Sequence, residues 1–91
     1  MYEISFTKSF ERDVKTCKKR NYDLSLLIHA IDELGKWGKL PKEMNLHPLK
    51  DEFSDYLECH LDLDWLLIWK QDNKRRKISF HRTGTHADLF K

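Results

Sequence analysis

The chain lacks what would mark a membrane span, a linker or a disulfide framework. No apolar run approaches the roughly 18–20 residues needed to cross a bilayer. The opening stretch MYEISFTKSF has no basic region followed by an apolar core, so no secretory signal is expected. With three glycines and two prolines, no Pro/Gly/Ser-rich linker, repeat or low-complexity tract divides the 91 residues, and a single domain over 1–91 is expected. The two cysteines, Cys17 and Cys59, stand far apart and read as reduced thiols of a cytoplasmic protein. There is no CxxC or HxxxH spacing, so a zinc site has little to build on and no cofactor is expected.

Nor does either sign of charge dominate. Seventeen basic and fifteen acidic residues leave a formal +2, which permits nucleic-acid contact without requiring it. The basic residues are clustered, however, in KTCKKR (15–20) and in KRRK (74–77), each a candidate phosphate contact, with Lys74, Arg75 and Arg76 as RNA-binding candidates in the second. The bland alternative is a solvated face or a charged edge that discourages strand pairing. Hydrophobic residues at 40% are enough to fold, and a chain this size buries roughly 60–65% of its unfolded surface in one modest core.

What is present reads as α+β. YEISFT (2–7) alternates like a strand, and Thr7 is placed to cap a helix carrying Phe10, Val14 and Cys17 at helical spacing. Asn21 or Asp23 restarts the chain into a second helix over 24–37, with Leu24, Leu27, Ile28, Ile31 and Leu34 on one face and Gly35, Gly38 and Pro41 ending it. Leu26 and Trp37 fall off that stripe and are expected to touch the first helix, with a partner-binding patch as the alternative. Residues 42–55 read as a loop. Three strands follow, at about 56–61, 64–70 and 76–82, with QDNK (71–74) as the turn between the last two. The expected architecture is an N-terminal strand, a helical hairpin and a three-stranded antiparallel meander forming one small sheet. The tail TGTHADLFK is too short for another core element.

In 56–61, Leu57, Cys59 and Leu61 point to the helices, while Tyr56, Glu58 and His60 point to an open face. In 76–82 the same alternation groups Ile78, Phe80 and Arg82, with Ser79 and His81 on the other side. Asp64 stands four residues after His60, and His86 follows Arg82 through TGTH. The hydroxyls of Thr83 and Thr85 and nearby backbone N–H groups are candidates to hold a phosphate. These residue types suit metal-free RNA cleavage by the substrate's own 2′-hydroxyl. One group takes its proton, another protonates the leaving 5′-oxygen, and a cation stabilises the phosphorane. Taken singly, each has a bland reading: a solvated histidine, a turn aspartate, an arginine in a structural ion pair, a packed tryptophan.

Together, HPLKDEF, YLECHLDLDWLLIWK and FHRTGTHADLF resemble the YafQ branch of the RelE superfamily, toxins of bacterial type II toxin–antitoxin systems. The likeness covers nearly the whole chain and is strongest over 47–70 and 80–90. It implies a RelE-like fold and a cytoplasmic bacterial endoribonuclease that cuts mRNA in the ribosomal A site, with contacts to 16S rRNA, until a cognate antitoxin neutralises it. It also implies active-site roles for His47, His60, Asp64, Arg82, His86 and Phe90, with Trp65 beside them. Asp64 or His60 is then expected as base, His86 as acid and Arg82 as the phosphate-stabilising cation. Two positions depart from the pattern. Leu63 stands where relatives often carry proline, and Trp69 replaces a usual tyrosine. A same-fold protein that inhibits gyrase or only binds a partner is the alternative. Clustering of the histidines separates the two.

Overall fold

The computed structural model describes residues 1–44, 46–48 and 56–90, with the backbone alone of Glu43 and His47. Strand β1 (Glu3–Phe6) leads into helix α1 (Lys8–Lys19), whose N-cap is Thr7. The Thr7 hydroxyl accepts the Phe10 N–H at 3.0 Å, as the sequence predicts. Helix α2 (Leu24–Trp37) is capped by Asp23, which accepts the Ser25 N–H, and it ends at Gly38. Gly38 takes φ 70°, a conformation that costs glycine little, and its N–H returns to Leu34.

The chain then passes through a 3₁₀ turn (Lys42–Met44) to a two-residue edge strand β2 (His47–Pro48), where the sequence suggested only loop. The meander follows as β3 (Tyr56–Asp62), β4 (Trp65–Asp72) and β5 (Lys77–Gly84). The sheet order is β1-β5-β4-β3-β2, antiparallel except where β1 runs parallel to β5. The β4–β5 turn falls two residues later than expected because Asp72 Oδ1 accepts the N–H groups of Lys74 and Arg75. Beyond β5 the described tail adds no buried residue, as expected, but His86–Leu89 form a one-turn helix, α3, with a capping box between Thr85 and Asp88.

Both helices lie on one face of the sheet. Phe10, Cys17, Leu27, Ala30 and Leu34 pack there against Cys59, Leu61, Trp65, Leu67, Trp69, Ile78 and Phe80. Trp69 is fully buried; its indole N–H bonds Gln71, whose amide in turn bonds the Gly38 carbonyl, tying β4 to the end of α2. The expected stripe of α2 is shifted: Ile28 is 64% exposed, and Ala30 takes the buried place. Leu26 packs on the core, whereas Trp37 stays exposed. Both thiols are free and buried, and burial pushes the Cys59 thiol up to about 12.

A register shift corrects the face assignment of Arg82. Trp69 pairs with Phe80, but its neighbour Ile68 pairs with Arg82, so His81 is an extra residue and β5 bulges. Adjacent residues of β4 face opposite ways, which puts Arg82 on the side opposite Phe80. That opposite side is not bare, since Glu58, Leu66 and Ile68 are all buried. Among the described residues no helix is long and apolar enough to cross a membrane.

Candidate active site

The β3–β4 connection is a two-residue turn, Leu63–Asp64, tightened by a bulge that shifts register between His60 and Asp62. The Asp62 carboxylate accepts the Leu63 N–H, and Leu63 projects into solvent. Asp64 is thereby held at the end of the sheet, beside the start of α3. Its Oδ1 accepts the backbone N–H of His86 at 3.1 Å and lies 2.7 Å from His86 Nδ1. Two residues that are 22 positions apart thus form a dyad, with both side chains more than half exposed.

The bonds from His86 hold the Asp64 carboxyl below its ordinary value, so it is a carboxylate throughout the neutral range. A carboxylate at Nδ1 keeps the imidazole proton on that nitrogen, and Nε2 takes no part in the pair. The His60 ring lies 6.1 Å from that of His86, edge to face, and the Phe90 ring lies 6.3 Å away on a tilt. His60, Asp64, His86 and Phe90 therefore converge at one end of the sheet.

Arg82 is held by Asp13 of α1 in a two-point pair, Nε–Oδ2 2.6 Å and Nη2–Oδ1 3.1 Å. This pair raises the Arg82 pKa, and Asp13 also accepts the Thr83 N–H. Arg82 borders a cleft of about 140 Å³ shared with Tyr56, Ile68, His81, Leu89 and Phe90. The Tyr56 and His81 rings meet edge-on at 4.8 Å. Burial, with Lys70 nearby, lowers the His81 pKa. The backbone of His47 pairs with Glu58, two residues along β3 from His60, while its side chain lies outside the described residues.

Other expected contacts are supports rather than surfaces. Trp65 is 3% exposed and donates its indole N–H to Thr83 Oγ1; the Thr83 hydroxyl donates to the Leu66 carbonyl and is buried. Neither offers a surface to RNA. The Thr85 hydroxyl accepts the Asp88 N–H, and its own N–H goes to the Asp88 carboxylate. The backbone N–H groups of Thr83, Thr85 and His86, expected to be open to a phosphate, are thus used within the protein. Lys74, Arg75 and Arg76 are exposed on the β4–β5 turn, at the other end of β4 and roughly 25 Å from Asp64 at strand rise. There Arg75 approaches Asp72 and Arg76 lies over the Tyr2 ring.

Sequence reasoning missed Asp13 and Asp88, and it took Arg20 only as part of the basic cluster KTCKKR. Asp88 had a local signal, since it stands three residues after a capping threonine. Asp13 and Arg20 had none, because their partners lie 69 and 68 residues away.

A family model described as "Bacterial toxin of type II toxin-antitoxin system, YafQ" matches residues 2–91. The mRNA interferase toxin YafQ of Escherichia coli (strain B / BL21-DE3) is 36% identical over 89 residues, covering 97% of this chain and 95% of the relative. The crystal structure of YafQ from that E. coli strain superposes with a TM-score of 0.92 at 33% identity over 100% of both chains. A chain of the E. coli DinJ–YafQ complex superposes with a TM-score of 0.91 at 34% identity, again over 100% of both.

Proposed function

The chain belongs to the YafQ family of bacterial type II toxin–antitoxin toxins, and from that premise we propose that it is an mRNA interferase, an endoribonuclease that stops translation by cutting mRNA in the ribosomal A site. The observation that carries the chemistry is the Asp64–His86 dyad with the His60 ring beside it.

The reaction starts from the 2′-hydroxyl of the nucleotide 5′ to the scissile phosphate. A base removes its proton, O2′ attacks phosphorus, and the P–O5′ bond breaks. The products are a 2′,3′-cyclic phosphate and a 5′-hydroxyl, and the 5′-oxygen takes a proton from the acid. Asp64 is a poor base because its pKa is depressed, so its part is to orient His86 and stabilise its imidazolium form. His86 Nε2 then serves as the acid and His60 as the base. His47 and Phe90 flank the reacting nucleotides. Arg82 stabilises the phosphorane through Nη1, since Asp13 engages its Nε and Nη2.

Lys74, Arg75 and Arg76, too far from the dyad for the scissile phosphate, contact 16S rRNA or more distant phosphates on the ribosome. A cognate antitoxin neutralises the toxin in the bacterial cytoplasm; among solved relatives the DinJ–YafQ complex is such a pairing.

The test is induction in bacteria with mapping of mRNA 5′ ends. Wild type is expected to arrest growth and create new ends, persisting in vitro in excess EDTA and absent where the nucleotide 5′ to the cut is 2′-deoxy. His86→Ala is expected to lose about 10²–10⁴-fold in cleavage, and growth should recover. Equal toxicity of wild type and His86→Ala, or DNA damage without new RNA ends, would defeat the proposal.

A further inference from the structure

His86 heads α3, a helix of only four residues. One turn has almost no stability of its own, so something else must hold the imidazole against Asp64. The holding group is the Asp88 carboxylate. Its Oδ2 accepts the Thr85 N–H at 3.0 Å and Arg20 Nη1 at 2.7 Å, and its Oδ1 accepts Arg20 Nη2 at 3.1 Å. The Asp88 N–H is bound by the Thr85 hydroxyl. Gly84 makes room for this: a Cβ there would lie 2.9 Å from Asp88 Oδ2. Arg20 holds the Asp88 carboxyl well below the usual carboxylate range.

Arg20 is also well placed as a reference point. It is the C-cap of α1, its own N–H bonded back to Thr16. Its guanidinium lies 6.0 Å above the Tyr22 ring, and Tyr22 packs on Trp65 with centroids 4.9 Å apart. Trp65 follows Asp64 directly. One side chain therefore touches the chain that carries His86 and, through Tyr22, the chain that carries Asp64.

We propose that Arg20 is a positioning residue: by clamping Asp88 and lying on Tyr22, it registers His86 against Asp64 from the end of α1. This rests on the reading of the Asp64–His86 dyad as proton-transfer machinery. A bidentate fork fits the role better than an ammonium, because it fixes orientation as well as distance.

The experiment compares wild type, Arg20→Gln and Arg20→Lys. It combines cleavage kinetics with a ¹³C NMR titration of the Asp64 carboxyl in about 1 M salt, where charges are screened beyond about 3 Å. The groups facing that carboxyl are His86 and Asp88. Arg20→Gln is expected to lower kcat about tenfold to a hundredfold with little change in KM. It should also move the Asp64 midpoint up toward the ordinary carboxylate value as the His86 bonds are lost. Arg20→Lys should restore part of both. A merely structural role would lower the melting temperature and leave that midpoint where it was. An unchanged Asp64 midpoint in folded Arg20→Gln overturns the proposal. The titration uses no RNA, so a moved midpoint with unaltered cleavage supports the clamp and removes the catalytic reading of the dyad instead.

Discussion

The two ends of β4 make a natural comparison, because each is a hairpin turn with an aspartate beside it. At one end Asp72 turns its Oδ1 to the N–H groups of Lys74 and Arg75, two and three residues on. At the other, Asp64 leaves its own turn alone and binds His86, 22 residues away. The first aspartate spends its hydrogen bonds on the turn that holds it. The second holds together two segments that meet only in the fold, and its partner is an exposed imidazole. The span of sequence between a polar group and its partner therefore separates turn chemistry from site chemistry here, though both residues begin as a bare carboxylate beside a core strand.

Breaking the long-range partner should cost most. Asp64→Asn keeps the shape but loses the charge that orients His86, and kcat is expected to fall about a hundredfold while the thermal transition stays cooperative. The pH dependence sharpens the point. A carboxyl depressed on folding contributes stability that is fully present above its ordinary value of 3.8 and is lost as the pH falls through its lowered folded value. Acid titration should accordingly show Asp64 ionised below that ordinary value in wild type, with the midpoint rising when His86→Ala removes its partner. An Asp64 that titrates normally in wild type would mean the dyad does not persist in solution.

A smaller effect is expected from the basic end. Changing Lys74, Arg75 and Arg76 together to glutamine should raise KM on ribosomes several-fold and flatten its salt dependence, with kcat unchanged. A large fall in kcat would bring that turn into the chemistry after all. Asp72→Ala should do least. It removes two exposed hydrogen bonds worth about 0.5–1.5 kcal/mol each at most, and cleavage should match wild type. Loss of activity there would erase the contrast between the two turns.

The legible part of this molecule is its local part. Thr7, Asp23 and Gly38 act where they stand, because a cap needs only the next few residues and a glycine needs only its own φ. Alternation in 56–61 identified Cys59 and Leu61 as core residues by the same kind of near-neighbour rule. His60, Asp64, His86 and Phe90, which the family resemblance groups as candidates, are neighbours in space. Trp65 and Thr83 were misjudged as RNA-facing because spacing cannot show that the indole and the hydroxyl satisfy each other inside the protein. The single extra residue at His81 reversed the face of Arg82, and no pattern of period two can foresee where a strand will bulge.

By itself, then, the sequence determined the order of β1, the two long helices and the three-stranded meander, the caps at Thr7, Asp23 and Gly38, and the residue types available for acid–base work, since these depend on interactions that span a few positions. Only the tertiary structure decided which carboxylate met which base. Asp64 with His86, Asp13 with Arg82 and Arg20 with Asp88 are pairings made by strand register, the two bulges and the packing of α1 along β5. The physical reason is that a hydrogen bond is won or lost over less than an ångström, while the periodicity of a sequence specifies only the face on which a side chain emerges.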